Sequence, residues 1–177
     1  FSFFDFRDCD IKTYIPAANY LTKQGIWVIR VGHMEPDLPL ESENSMIIDY
    51  ASHFRQYVDD PEFADVYLQA HCKFFIGCTA GIHYYSHIFD IPMVLVHMAP
   101  IAESGRSMHD LFILKKYWNT VYERYMTWSE MIDRGVGGIR LWHNQQASLE
   151  DEGIEIHDNT ADEVLDLVRE MEERLSG

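Results

Sequence analysis

Two arginines, two histidines and a run of small residues are the parts of this 177-residue chain best suited to chemistry. Arg7 follows an aromatic opening segment, Phe1 to Phe6. Arg30 closes the apolar run Ile26-Trp27-Val28-Ile29, with Val31-Gly32-His33 behind it. A guanidinium is a bidentate donor to phosphate or carboxylate and stays charged at any working pH. Each arginine also has a plainer use, an ion pair with a carboxylate such as Asp8 or Asp49. Gly77-Cys78-Thr79-Ala80-Gly81 lies between an apolar run and a helical segment. Residues that small let backbone N–H groups approach a phosphate, and a helix N-terminus adds positive potential. The run is neither a Walker A loop nor a GxGxxG fingerprint, so a tight turn without a ligand explains it equally well.

His83 and His87 stand four apart on a predicted helix, a spacing that can ligate zinc. No HExxH accompanies them and Cys78 is the only nearby thiol, so structural or substrate-facing roles are the better reading. Asp49 ends a short apolar run, as the phospho-acceptor of a signalling receiver domain does. Such domains also need an acid pair after the first strand and a lysine after the fifth. Here Arg7 interrupts the acids, and Pro100 with Glu103 follows the fifth strand, so the receiver reading fails.

These residues gain meaning from the elements that carry them. Phe1 to Phe6, Ile26 to Ile29, Met46 to Ile48, Phe74 to Ile76 and Met93 to Val96 are short apolar runs without alternation, the pattern of strands buried on both faces. Helical segments are predicted at about Lys12 to Gln24, stopped by Gly25, at Pro61 to His71, and at Ile82 to Phe89. Alternation of such strands and helices predicts an α/β fold, Rossmann-like and doubly wound, with a mainly parallel sheet and helices on both faces. In such sheets ligands collect beyond the carboxyl ends of the strands, where Arg7, Arg30, Asp49 and the Gly77 to Gly81 run are expected. Further helices are expected near Asp110 to Tyr117 and Ser129 to Arg134, and a last strand at Ile154 to Ile156. Thr160 with Glu163 forms a capping box for a final helix, whose apolar stripe is Val164, Leu167, Val168, Met171 and Leu175.

Composition narrows the function classes. Hydrophobic residues make up 47% and charged residues 24%, which suits a globular protein with one sizeable core. The formal charge of −15 argues against nonspecific binding to nucleic acid or an anionic membrane. From Asp151 onward there are ten acidic and two basic residues, so the rest of the chain is only mildly acidic and can still hold a basic pocket. Cys9, Cys72 and Cys78 are too few for a disulfide framework; reduced thiols and a cytoplasmic location are expected. No apolar run approaches the roughly 20 residues of a membrane helix. The chain begins at Phe1 rather than Met, and the expectation is a piece of a longer protein.

Several segments taken together carry a resemblance. They are Phe6-Arg7-Asp8 with Tyr14, Gly25 through Gly32, Ile48-Asp49-Tyr50-Ala51, Phe75 through Gly81, Leu114-Lys115-Lys116-Tyr117, Asp158-Asn159-Thr160 with Glu163, and Arg169 through Leu175. In this order they resemble a family of bacterial glycosyltransferases associated with surface-polysaccharide genes, over nearly the whole chain. The resemblance implies a GT-B architecture, two Rossmann-like domains facing a cleft, of which this chain is similar to the C-terminal, donor-binding half. An N-terminal domain of the same chain is then missing. The resemblance implies that Arg7, Arg30 and Lys115 neutralise the diphosphate of a nucleotide-sugar donor, and that Thr79, Ala80 and Gly81 hydrogen-bond it. Gly32, His33 and His83 would line the donor pocket, and Asp49 would orient an arginine or accept from a ribose hydroxyl. Catalysis would be electrostatic, with no cofactor and no metal, on a glycan or other acceptor; no catalytic base is identifiable. The competing readings are a noncatalytic nucleotide or sugar-phosphate binding module and a metal-dependent hydrolase using His83 and His87.

Overall fold

The computed structural model describes residues 7–32, 39–40, 42–103, 107–136, 149 and 151–177. The strand expected at Phe1 to Phe6, and His33, lie outside them. Asp10 sets the first element: its carboxylate accepts from the Lys12 N–H at 2.9 Å and opens a 3₁₀ turn, Ile11–Tyr14. The turn runs into α1, Ile15–Lys23, where Pro16 sits in the first turn and forfeits no hydrogen bond. Gly25, at φ +78°, supplies the left-handed residue that stops the helix, as expected.

β1 is Val28–Arg30, two residues later than its apolar run suggested, because Ile26 and Trp27 come before the strand and Trp27 is exposed. It pairs in parallel with β2, Ile47–Asp49, in a register that sets Arg30 opposite Asp49. A π-helical turn, Tyr50–Phe54, and a 3₁₀ turn, Arg55–Tyr57, lead to α2, Pro61–Ala70, capped by Asp60 on the Phe63 N–H at 3.0 Å. α2 turns two polar side chains inward. One Asp65 carboxylate oxygen accepts from Arg55 Nε at 3.1 Å, and the Gln69 amide oxygen accepts from the Ser86 hydroxyl at 3.1 Å.

The central sheet is β3, Phe75–Gly77, then β4, Met93–Met98, then β5, Leu111–Leu114, all parallel in that order. α3, His83–Ile88, connects the first two. Every residue of β4 is buried, and its alternate side chains feed two cores. Val94 and Val96 pack with Ala17 and Leu21 of α1 and with Val164, Val168 and Met171 of the last helix, α5, Ala161–Ser176. Met93, Leu95 and Met98 pack on the other side with Phe75 and, at the edge, Val31, Ile82 and Leu114. The capping box starts α5 as expected: Thr160 Oγ1 accepts from the Glu163 N–H at 3.3 Å and the Glu163 carboxylate from the Thr160 N–H at 2.8 Å. Of its predicted stripe, Val164, Val168 and Met171 are fully buried and Leu175 stays exposed.

The helix expected at Asp110 to Tyr117 is absent; that stretch is β5 followed by β6, Lys116–Asn119, with Lys115 between them. The open edge of β4 selects a strand there, because its backbone N–H and C=O groups need partners. β6 is the centre of an antiparallel sheet with β7, Arg124–Tyr125, and β8, Ile154–His157. The final strand at Ile154 to Ile156 is therefore present, but antiparallel and in a sheet of its own. Tyr117, Ile154 and Met131 of α4, Trp128–Asp133, form the core beneath it. The fold is α/β, and the sheets among the described residues are small, two parallel and one antiparallel. No helix among the described residues is long and apolar enough to cross a membrane.

Candidate functional site

Several candidate groups meet beyond the carboxyl edge of the β3–β4–β5 sheet. Lys115, directly after β5, is buried, and its backbone N–H donates to the Met98 carbonyl at the end of β4, at 2.9 Å. Its ammonium lies 2.6 Å from the Asp158 carboxylate and donates to the Asp8 carbonyl, so it ties the Arg7–Asp8 segment to the sheet edge. Arg7 itself is half-buried. The next residue after Asp8, Cys9, has its sulfur 3.5 Å from the Tyr14 hydroxyl, and Cys78, the residue after β3, is the neighbour that acts most on its thiol. Cys78 draws the Cys9 thiol down to about 7 against the cost of burial, with Tyr14 and the Lys115 charge assisting and Asp158 opposing. Cys9, followed by burial, pushes the Cys78 thiol upward.

A second set of contacts locks this edge. His97, in β4, is wholly buried and adopts φ +53° at a β-bulge, where the register with β5 slips between Leu95 and Met98. That conformation is costly for a residue with a Cβ, and Asn159 holds it. The Asn159 side-chain oxygen accepts from the His97 N–H at 2.6 Å, its amide donates to the Leu114 carbonyl at 2.8 Å, and its own backbone N–H donates to His97 Nδ1 at 3.1 Å. With Nδ1 an acceptor, the ring proton sits on Nε2 and donates to Thr13 Oγ1 at 3.0 Å, and the Thr13 hydroxyl donates to the Asp10 carbonyl at 2.7 Å. Burial holds the His97 pKa below its ordinary value and the Lys115 charge adds to this, while Asp158 and Glu163 oppose it. The imidazole is therefore a neutral structural post.

Thr79, Ala80 and His83 are engaged within the β3–α3 connection. The buried Thr79 hydroxyl accepts from the Ala99 N–H at 3.3 Å and donates to the Met98 sulfur at 3.5 Å. The Ala80 N–H donates to His83 Nδ1 at 3.4 Å, and the His83 ring is buried and stacked on Tyr84. Gly81 is exposed at the start of α3. α3 has only six residues, so its dipole is small. Gly32 reaches the same region: at φ +128° only glycine is comfortable, and an added Cβ would lie 4.0 Å from Ile82 Cδ1.

Arg30 and Asp49 form a pair of their own. The guanidinium donates to the Asp49 carboxylate at 3.0 Å, and both side chains are nearly sealed from solvent, at 8% and 3% exposure. Asp49 also accepts from the Leu40 N–H at 2.7 Å and the Ser52 N–H at 3.1 Å. Burial works against its charge, yet these hydrogen bonds and Arg30 together hold its carboxyl below the usual value. Asp49 thus orients an arginine, one of its two expected roles. Beside the pair is an open depression of about 670 Å³ lined by Pro39, Leu40, Ser42, Glu43 and His53.

The chain matches no family model, no curated protein and no solved structure. Function therefore rests on the site's own geometry. His83 and His87 share α3, but among the described residues no group of three or more potential ligands could hold a metal ion. Sequence reasoning missed Cys9 with Cys78, Asp158, and the His97–Asn159 lock. Only the last had a readable signal: a histidine inside the otherwise apolar run Met93 to Met98 must find polar partners.

Proposed function

We propose that this chain is the nucleotide-sugar-binding half of a GT-B-type glycosyltransferase, whose N-terminal domain would carry the acceptor site. On this reading the short sheets belong to one doubly wound, Rossmann-like arrangement. The observation that carries it is the meeting of the Arg7–Asp8 segment and Lys115, whose ammonium donates to the Asp8 carbonyl, at the same carboxyl edge of parallel strands as the Gly77–Gly81 connection. That edge is where open α/β sheets take phosphorylated ligands. Arg7 and Lys115 are the cations for a diphosphate, and the N–H groups of Ala80 and Gly81 are its neutral donors. A 3.4 Å bond to His83 is long enough for the Ala80 N–H to exchange it for a charged acceptor. As the glycosidic bond breaks, negative charge gathers on the leaving nucleoside diphosphate, and fixed donors stabilise it without reorganising. Arg30 contributes by shaping the neighbouring strand pair, with Asp49 as its anchor. The reading places the protein in the cytoplasm, where nucleotide sugars are consumed.

Isothermal titration of the chain with UDP and GDP, with and without EDTA, tests this. Saturable binding that survives EDTA is expected. Arg7→Ala loses a charge-assisted contact of about 1.5–3 kcal/mol, or roughly 10–150-fold in affinity. No binding at millimolar nucleotide, or binding abolished by EDTA, overturns the reading. Binding without sugar transfer by a two-domain parent would instead identify a noncatalytic nucleotide-binding module.

A further inference from the structure

We propose that the solvent face of the β7–β6–β8 sheet is a binding platform for a neutral saccharide chain, built from Trp118, Tyr125 and His157 with Glu155 and Lys116 at its rim. Strand alternation produces it. In β6 the side chains of Tyr117 and Asn119 turn to the inside and are buried, so Lys116 and Trp118 turn outward. In β8 Ile154 is buried, which leaves Glu155 and His157 on the outer face. The antiparallel register sets Trp118 opposite both Tyr125 of β7 and Glu155, and sets Lys116 opposite His157. The rings meet there. Tyr125 stands edge-on to Trp118 at 5.0 Å between centroids and to His157 at 5.9 Å, while the Trp118 and His157 planes lie within 16° of each other. The solvent side of a half-buried antiparallel sheet is ordinarily polar. Here the core is already supplied by Tyr117, Ile154 and Met131 on the inner side, yet Tyr125 is 47% exposed.

The rim groups select the occupant. Nucleobases, apolar peptide segments and sugar rings all pack on exposed aromatic rings. Nucleobase platforms sit in basic grooves that follow the phosphates; here Glu155 and Glu163 flank the rings, and residues 151–177 carry ten acids against two bases. The same charge disfavours an acidic glycan. An apolar segment would strip water from the Glu155 carboxylate, 56% exposed, and from the Lys116 ammonium without replacing it. A neutral pyranose suits both kinds of group: its C–H face packs on a ring, and its hydroxyls donate to a carboxylate and accept from an ammonium or imidazole N–H. These partners are held in place beforehand, which lowers the entropy lost on binding. His157 Nε2 lies 3.1 Å from Glu155 Oε2, and its Nδ1 lies 3.4 Å from the Tyr125 hydroxyl. Lys116 is fixed by Glu163 at 2.7 Å, with its nitrogen 5.9 Å from the Tyr125 ring centre. Beyond Tyr125, Arg124 donates to both carboxylate oxygens of Glu130 and covers the exposed Tyr122 ring at 5.6 Å. The platform uses no nucleotide, so it stands or falls separately from the transferase reading.

The test titrates the isotope-labelled chain, without nucleotide, with maltohexaose, cellohexaose and chitohexaose, followed by heteronuclear NMR. The expected result, with at least one of the three, is a saturable shift of the Trp118, Tyr125, Glu155 and His157 amides and of the Trp118 indole N–H. Tyr125→Ala, at an exposed position, weakens that binding about tenfold, and Tyr125→Phe keeps most of it because the ring remains. Adding UDP to the same sample reports the transferase reading on its own, and failure of either leaves the other intact. No shift at these residues by about 20 mM saccharide overturns the proposal. Unchanged affinity in Tyr125→Ala does so too, as does tighter binding of an oligothymidylate to this face. Shifts that follow protein concentration rather than saccharide mark a second copy of the chain as the occupant, which also overturns it. If Tyr125→Ala fails to fold, the wild-type shift map alone decides.

Discussion

Removing the Arg30 guanidinium separates a structural role for that residue from a ligand-binding one. Arg30→Ala leaves the Asp49 carboxylate enclosed, its side chain 3% exposed, with the partner at 3.0 Å gone. Breaking a buried pair in this way costs about 3–5 kcal/mol. The N–H groups of Leu40 and Ser52 continue to solvate the carboxylate, which sets the expectation at the lower end, about 3 kcal/mol. For a chain of this length that is a fall in Tm of about 6–12 °C. The loss has a pH signature. Asp49 has a native pKa below its ordinary value of 3.8, so its contribution is complete above that value and is lost as the pH falls through the native one. Without Arg30 the native value rises and the variant has less to lose, so the gap between variant and wild type should narrow in acid. Thermal melts by circular dichroism at about pH 7 and pH 3 measure both effects. A Tm within about 2 °C of wild type at neutral pH, or a gap that does not shrink in acid, would refute the argument.

Asn159→Ala strands the His97 N–H and the Leu114 carbonyl away from water and should cost about 2–5 kcal/mol by urea denaturation, against well under 1 kcal/mol for an exposed control. Thr160→Ala removes the cap of α5 and should cost about 1 kcal/mol in the same assay. His97 has a native pKa below 6.5, so the unfolded chain takes up its proton first as pH falls; stability should decline from about that pH downward, and His97→Gln should flatten this part of the profile.

Local chemistry was legible wherever an element answers to its own residues. The capping box of α5, the Gly25 stop of α1, the Pro61 start of α2 and the doubly buried pattern of Met93 to Val96 were all readable, because caps, φ angles and burial periodicity act over a few residues. The stretch Asp110 to Tyr117 was not, since its apolar spacing suits a helix as well as two strands and only the unpaired edge of β4 selects between them. The candidate site divides the same way. Residue types pointed to Arg7, Arg30, Asp49 and Lys115 as charges worth watching. Tertiary structure assigned their partners: parallel register set Arg30 against Asp49, and the approach of the N-terminal segment to the end of β5 placed Lys115 between Asp8 and Asp158. Which partner a buried histidine finds is likewise a matter of topology. His97 and Asn159 meet because β4 and the segment before α5 come together at one sheet edge, and no spacing in a linear chain encodes that.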